Sequence, residues 1–132
     1  MEIVVDASVL IAVIADEPVR ERLVEVTRGA DLIAPPSVHW EIGNAFSSML
    51  KRKRISLHDL LSALEAYQGI VLRLAEVELA DSLRLAAELG IYAYDAYVLR
   101  CALKYGAPLL SLDEQMVCLA RKKHILAVEV RP

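Results

Sequence analysis

Hydrophobic positions in this chain form two patterns: short apolar runs, and longer stretches with apolar residues three or four positions apart. The first run, Glu2-Ile3-Val4-Val5, is rich in β-branched residues and lacks polar alternation, which is typical of a strand buried in the middle of a parallel sheet. Four later runs have the same character. We therefore predict strands at residues 2–5, 31–34, 70–74, 108–112 and 126–130.

The segments between these runs have helical spacing and carry helix start and stop signals. Pro18 suits the first position of a helix, and Ser56 with Asp59 three residues later resembles a capping box. Gly90 and Gly106 each follow a periodic stretch and are typical helix-ending residues. Helices are predicted at residues 8–15, 18–29, 38–52, 56–67, 78–89 and 94–105, with a short one after residue 113.

Strands that alternate with helices favour a parallel sheet covered by helices on both faces. The chain has 132 residues, which fits one domain. Hydrophobic residues make up 56% of it, above the usual share of about 45–50%. We predict an α/β protein, a single-domain α/β/α sandwich over residues 1–132.

Net charge, cysteine spacing and the length of the apolar runs exclude several classes of protein. The net charge of −3 excludes a general polyanion binder, so nucleic-acid contact would need a local basic patch or a metal ion. The two cysteines have no disulfide or metal-site spacing. The apolar run at residues 7–15 is far shorter than a membrane span of about 20 residues, and Met1-Glu2 lacks the positive start of a signal peptide. We expect a cytoplasmic protein with no membrane partner.

Two carboxylates stand at the ends of apolar strands. Asp6 follows the first strand directly, and Asp113 follows the fourth. Ligands of open α/β sheets bind at the carboxyl ends of the strands. If the two strands are neighbours, both side chains lie at one edge of that crevice.

Two further acids lie on helix faces where a solvated side chain is unexpected. Asp95 precedes Val98, Leu99 and Ala102 at helical spacing and so stands at the head of an apolar stripe. Glu41 shares a helix face with Asn44 and Ser48, a polar stripe that can line a cleft. Asn44 is a candidate for holding a metal-bound water through its amide, or is ordinary polar lining.

Helix capping is the alternative explanation, because Asp6 and Asp95 each lie near a predicted helix start. Four acids that converge would instead repel one another, by about 4 kcal/mol per pair at 4 Å and an effective dielectric of 20. A bound cation removes that repulsion. All-oxygen ligands favour Mg²⁺ or Mn²⁺ over zinc.

The motifs that hold these acids resemble those of PIN-domain nucleases, and more narrowly the toxin ribonucleases of VapBC-type toxin–antitoxin pairs. The resemblance covers essentially the whole chain, and each motif is short. They are Val4-Val5-Asp6-Ala7-Ser8, Glu41 early in the third helix, Tyr94-Asp95-Ala96, and Leu110-Ser111-Leu112-Asp113.

The resemblance implies a five-stranded parallel sheet in the order 3-2-1-4-5. It also implies that Asp6, Glu41, Asp95 and Asp113 are the catalytic, metal-binding acids, with Mg²⁺ or Mn²⁺ as the cofactor. Ser8 and Ser111 would support them. The implied activity is hydrolysis of RNA to 5′-phosphate and 3′-hydroxyl ends, and the implied partners are RNA, a cognate antitoxin and a second copy of the chain.

One dense basic run follows the third helix. Lys51, Arg52, Lys53 and Arg54 are candidates for contact with an RNA backbone. A solvated helix end, where cations suit the helix dipole, is the alternative explanation.

Three other functions stay open at this stage. A dehalogenase-type phosphatase needs a second aspartate two residues after the first, where this chain has Ser8. A response-regulator receiver domain needs paired acids after the first strand and an aspartate after the third, where Glu76 stands. A catalytically silent PIN-like RNA-binding module is separated from an enzyme only by an activity assay.

Overall fold

The computed structural model describes residues 1–130, so the last two residues of the predicted domain lie outside the described part. Within it the chain forms a parallel sheet and seven helices. In chain order the elements are β1 (Glu2–Val5), α1 (Ala7–Ile14), α2 (Arg20–Thr27), β2 (Asp31–Ala34), α3 (Ser37–Lys51), α4 (Leu57–Gln68), β3 (Leu72–Leu74), α5 (Leu79–Leu89), α6 (Ala93–Tyr105), β4 (Leu109–Leu110) and α7 (Glu114–Lys122).

The order of the elements is as predicted, most boundaries shift by one or two residues, and the fourth strand is shortened from residues 108–112 to Leu109–Leu110. The second helix begins at Arg20 rather than Pro18, because a turn closed by Arg20 N and Glu17 O at 2.9 Å precedes it. The third strand begins at Leu72 rather than Ile70, because Ile70 N still donates to Tyr67 O at the end of α4.

The sheet is parallel and its strand order is β3-β2-β1-β4. Ile3 pairs with Leu32 of β2, and Val5 pairs with Leu110 of β4. The order matches the prediction for the first four strands and places the ends of β1 and β4 side by side.

The predicted fifth strand, residues 126–130, is reduced to an isolated bridge. Ala127 bridges Leu109 in parallel, through bonds of 2.8 Å from Leu109 N to Leu126 O and from Val128 N to Leu109 O. The described sheet therefore has four strands rather than five. The cause is that β4 is only two residues long, so it offers the last segment very little to pair with.

Two apolar cores enclose the sheet. Ile3 and Val5 face a core built with α1, α2, α3 and α4, whereas Val4 faces a core built with α5, α6 and α7. All three side chains are nearly inaccessible to solvent. The predicted α/β/α sandwich is confirmed, with β1 buried on both faces.

Local signals end and begin the helices as the sequence predicts. Gly90 and Gly106 follow α5 and α6 at φ values of 64° and 62°, the left-handed region that glycine adopts at low cost. The hydroxyl of Ser56 accepts a bond of 3.1 Å from Asp59 N and so caps α4. Across residues 1–130, every helix falls short of the length and apolar character needed to cross a membrane.

Candidate active site

The carboxylate of Asp6 is buried where β1 ends, and two serine hydroxyls hold it. Ser8 Oγ donates to Asp6 Oδ1 at 2.5 Å, and Ser111 Oγ donates to Asp6 Oδ2. Each hydroxyl also accepts a backbone bond of 3.0 Å, Ser8 from Leu112 N and Ser111 from Asp113 N. The segment after β4 is thereby tied to the end of β1, which fixes the position of Asp6.

Two of the four acids are helix caps as well as candidate ligands. Asp6 Oδ1 accepts from Val9 N at 3.4 Å at the start of α1. Asp113 Oδ1 accepts from Gln115 N at 2.9 Å and from Met116 N at 3.4 Å at the start of α7. Capping is therefore confirmed for Asp6, and Asp113 has the same role, which leaves Asp113 Oδ2 without a bond from the described residues.

Asp95 is not a cap. It lies in the first turn of α6, and no side chain there makes a capping bond. Its side chain has no hydrogen-bond partner among residues 1–130. Val98 and Leu99, one turn further on, are buried, so Asp95 does stand at the head of an apolar stripe as predicted.

The carboxyl group of Glu41 is strongly perturbed by its surroundings. Its Oε1 is buried and finds no partner in the described part of the chain. Burial, and to a smaller extent the charges of Asp6 and Asp95, raise the pKa of Glu41 from its ordinary value of 4.5 to about 7.

The other acids are coupled to the same group of charges. Burial is the largest cause that raises the pKa of Asp6; the bonds from Ser111 and Ser8 oppose it, and Asp113 adds to it. Burial also raises the pKa of Asp95, and the charges of Asp113 and Asp6 contribute. The charges of Asp6 and Asp113 therefore reach the neighbouring acids, and Glu41 lies within range of Asp6 and Asp95; we call these four residues the acidic cluster.

The donor atoms of the acidic cluster fit a hard divalent cation. They are all carboxylate oxygens, and among residues 1–130 neither the buried Glu41 Oε1 nor the Asp95 carboxylate has a hydrogen-bond partner. In residues 1–130, however, no three His, Cys, Asp or Glu side chains already stand close enough to form a ligand set. Binding of one cation by three of these acids would therefore require side-chain rotation that brings their oxygens together.

The other predicted residues make no hydrogen bond to the acidic cluster within residues 1–130. Asn44 is exposed on α3, and its side chain has no bond to any described acid. The basic run at residues 51–54 is exposed and forms the turn between α3 and α4, with Lys53 at φ 58°. Its first residue is ten positions from Glu41, which is about 15 Å along a helix.

Sequence reasoning selected Ser8 and Ser111 but missed that both bond the same carboxylate. The sequence does contain a sign of this arrangement. Asp6-Ala7-Ser8 and Ser111-Leu112-Asp113 each place a serine two positions from an aspartate, in opposite order.

Ser37 was missed. Tyr97 was not: with Tyr92 and Tyr94 it surrounds Asp95 in the sequence, which indicated packing or a substrate-facing role for one of the three tyrosines. Ser37 and Tyr97 line a separate cavity.

The PIN domain family matches residues 3–122. The chain therefore belongs to the PIN domain family, and this membership supports a nuclease. Among curated proteins, none matches the chain significantly.

Solved structures with the same fold match nearly the whole chain. PAE2754 from Pyrobaculum aerophilum is 23% identical with a TM-score of 0.75, over 98% of this chain and 91% of that one. VapBC2 from Rickettsia felis, solved with a DNA fragment from their promoter, is 13% identical with a TM-score of 0.67, over 97% and 98%. VapC20 of Mycobacterium tuberculosis, a sarcin-ricin loop cleaving toxin, is 18% identical with a TM-score of 0.66, over 98% and 99%.

Proposed function

We propose that this protein is a metal-dependent endoribonuclease and the toxin of a toxin–antitoxin pair, acting in the cytoplasm. The observation that carries the proposal is the acidic cluster at the carboxyl edge of a PIN-family sheet, with a carboxylate oxygen of Glu41 buried and unpartnered among the described residues. Such a site repels RNA phosphates unless a cation reverses its sign. The similar VapC20 is a sarcin-ricin loop cleaving toxin, which supports RNA as the substrate.

In this proposal Asp6, Asp95 and Asp113 hold Mg²⁺ or Mn²⁺, with Glu41 as a further ligand or a ligand through water. A bound divalent ion would lower the pKa of a water molecule and stabilise charge on the phosphate. Ser8 and Ser111 fix the Asp6 carboxylate through their hydroxyls. Products with a 5′-phosphate and a 3′-hydroxyl are expected.

The proposed partners are an antitoxin and a second copy of the chain. The similar VapBC2 was solved with promoter DNA, which supports an antitoxin partner. Exposed leucines one turn apart on α4, Leu57 and Leu61, support contact with another protein chain.

The proposed activity requires a divalent cation. Purified, antitoxin-free protein is expected to cleave RNA with Mg²⁺ or Mn²⁺ and to stop in excess chelator, because without a cation the carboxylates repel the RNA phosphate. The measurement is gel analysis of a labelled RNA, followed by sequencing of the ends. Full cleavage in chelator would refute the metal mechanism, and 3′-phosphate ends would refute the proposed direction of attack.

The basic run is expected to contribute to RNA affinity through phosphate contacts. Replacement of Lys51, Arg52, Lys53 and Arg54 with glutamine should weaken binding most at low salt. The slope of log affinity against log salt should fall by up to about 3, at about 0.7 for each contact to a single strand. The measurement is fluorescence anisotropy across a salt series.

A matched control removes four exposed cations elsewhere, by glutamine at Arg20, Arg22, Arg28 and Arg84. This control has the same net charge as the basic-run variant. Its slope of log affinity against log salt should equal that of wild type. If both variants lower the slope equally, the effect is one of overall charge, and the basic run is a solvated helix end.

A further inference from the structure

A separate cavity lies at the same edge of the sheet as the acidic cluster. Its volume is about 210 Å³, and it is lined by residues 35–37, by Glu76, Val77 and Leu79, and by Tyr97. Residues 35–37 follow β2 and Glu76 follows β3, so the cavity lies at the carboxyl ends of these strands. The acidic cluster occupies the carboxyl ends of β1 and β4, next to it in the sheet. We call this space the edge cavity.

Two helices contribute to both sites. On α3, Ser37 of the edge cavity and Glu41 of the acidic cluster are four residues apart, which places them on one face about 6 Å apart along the axis. On α6, Asp95 belongs to the cluster and Tyr97 to the cavity. Helices α3 and α6 also pack against each other. The edge cavity and the acidic cluster therefore share two supporting helices and lie at the ends of adjacent strands.

The lining of the edge cavity contains one aromatic ring, held in place by a second ring, and two polar side chains. Tyr97 meets Tyr94 edge to face, with ring centroids 6.1 Å apart and an interplanar angle of 88°, which supports the orientation of the Tyr97 ring. The Ser37 hydroxyl is buried and has no partner in the described part of the chain. It can reach other rotamers by rotation about one bond. Glu76 adds a carboxylate that accepts N–H donors.

These features favour a base over a phosphate. Lys104 Nζ donates to the backbone oxygen of Glu76 at 3.0 Å, but it is already paired with the Glu78 carboxylate. No cation is among the described residues that line the cavity, and Glu76 would repel an anion. A base offers a planar face for stacking and an edge with donors and acceptors. The volume is below the roughly 300–1,000 Å³ of pockets that enclose whole small-molecule ligands, and so fits a single heterocycle.

We infer that the edge cavity is a base subsite: it receives one unstacked base of the RNA beside the cleaved phosphate, with its face on Tyr97 and its edge toward Ser37 and Glu76. This inference rests on the proposed nuclease function, because it needs an RNA strand at the acidic cluster. An apolar protein side chain is a poorer occupant, since it would leave the Ser37 hydroxyl unpaired.

The first test compares wild type, Tyr97→Leu and Tyr97→Phe in binding to fluorescent homopolymeric oligoribonucleotides and to a base-free ribose-phosphate oligomer of equal length. Loss of one stacked base weakens binding about ten- to hundredfold. We expect Tyr97→Leu to lose that factor on at least one homopolymer and nothing on the base-free oligomer. Tyr97→Phe, which keeps the ring, should bind as wild type does.

Three results would overturn the base subsite. An equal loss on base-containing and base-free oligomers would mean that Tyr97 does not act through a base. Unchanged RNA binding by Tyr97→Leu would leave the cavity to a protein partner. Weakening by Tyr97→Phe as large as that by Tyr97→Leu would rule out stacking.

A second variant keeps the test valid if Tyr97→Leu folds poorly. Ser37→Ala removes only a hydroxyl that has no partner in the described structure, so the fold should tolerate it. It should change the order of affinities among the homopolymers, whereas Ser47→Ala, on the exposed side of α3, should not. An unchanged order in Ser37→Ala would remove Ser37 from the subsite and overturn the inference in its stated form.

Failure of the base subsite can be distinguished from failure of the proposed nuclease function. Mn²⁺ affinity should be the same in wild type and both Tyr97 variants, because Tyr97 is not among the proposed ligands. A wild-type protein that binds the homopolymers but cleaves no RNA in Mn²⁺ would refute the nuclease, and the binding comparison would still decide the subsite. Cleavage without any selective loss in Tyr97→Leu would refute the subsite alone.

Discussion

Asp95→Asn is expected to lower RNA cleavage at least a hundredfold and to leave the fold intact. Asp95 makes no capping bond and has no hydrogen-bond partner within residues 1–130, so its charge is its main contribution. Loss of a ligand removes part of the charge stabilisation that a metal site supplies, which amounts to several kcal/mol. At about 1.4 kcal/mol for each factor of ten, that corresponds to two or more orders of magnitude. The measurement is kcat/KM in saturating Mn²⁺, with a thermal melt of each protein.

Asp59→Asn is the matched control for this variant. Asp59 occupies the third position of α4, as Asp95 does in α6, but it is exposed and remote from the acidic cluster. It should retain wild-type cleavage. If Asp95→Asn also cleaves at the wild-type rate, Asp95 is not a ligand and the acidic cluster is not the catalytic site.

Asp6 is a less clean choice for the same experiment. Its two oxygens accept from Ser8, Ser111 and Val9, and an asparagine would offer an N–H group to one of these donors. Loss of activity in Asp6→Asn could come either from the missing metal ligand or from the damaged cap of α1, and the experiment would not distinguish the two.

Glu41→Gln is expected to stabilise the cation-free protein at neutral pH. The pKa of Glu41 is about 7 in the folded protein and 4.5 ordinarily, so the folded state holds more protons between these values. The free energy of unfolding of wild type therefore falls as pH rises from about 4.5 to 7, and the penalty is complete above pH 7. Glutamine removes the charge and with it the penalty.

The expected gain above pH 7 is at most about 3 to 4 kcal/mol, from 1.36 kcal/mol for each unit of pKa difference. In a domain of this size that corresponds to a rise in Tm of several degrees. Below pH 4.5 the gain should vanish, because Glu41 is then protonated in both states. The measurement is thermal melting in chelator at pH 4 and pH 8. A variant that is less stable than wild type at both pH values would show that the Glu41 carboxylate is structurally supported rather than strained.

The positions of Asp6 and Asp95 in the site could be predicted because each is a charged residue within an otherwise apolar pattern. Asp6 interrupts the most apolar strand, and Asp95 stands at the head of a stripe that proves fully buried. The central place of β1 was likewise visible, since Ile3, Val4 and Val5 leave no polar face. Gly90 and Gly106 gave correct helix ends because backbone conformation there depends on local chemistry.

Features that depend on tertiary contacts were not predictable from local patterns. Residues 126–130 look like a strand, but pairing needs a partner, and β4 ends after Leu110. Asp113 was expected as a ligand, and its second role as the cap of α7 appears only from backbone geometry. The edge cavity combines Ser37 and Tyr97, which are 60 positions apart in the chain, so no spacing rule could reveal it.

The most direct test of the account is whether the acidic cluster binds a divalent cation. Mn²⁺ is titrated into wild type, Asp95→Asn and Asp59→Asn, and free Mn²⁺ is followed by electron paramagnetic resonance. The account predicts saturable binding by wild type and Asp59→Asn, and affinity lower by about tenfold or more in Asp95→Asn. Absence of saturable binding by wild type, or equal affinity in all three proteins, would contradict it.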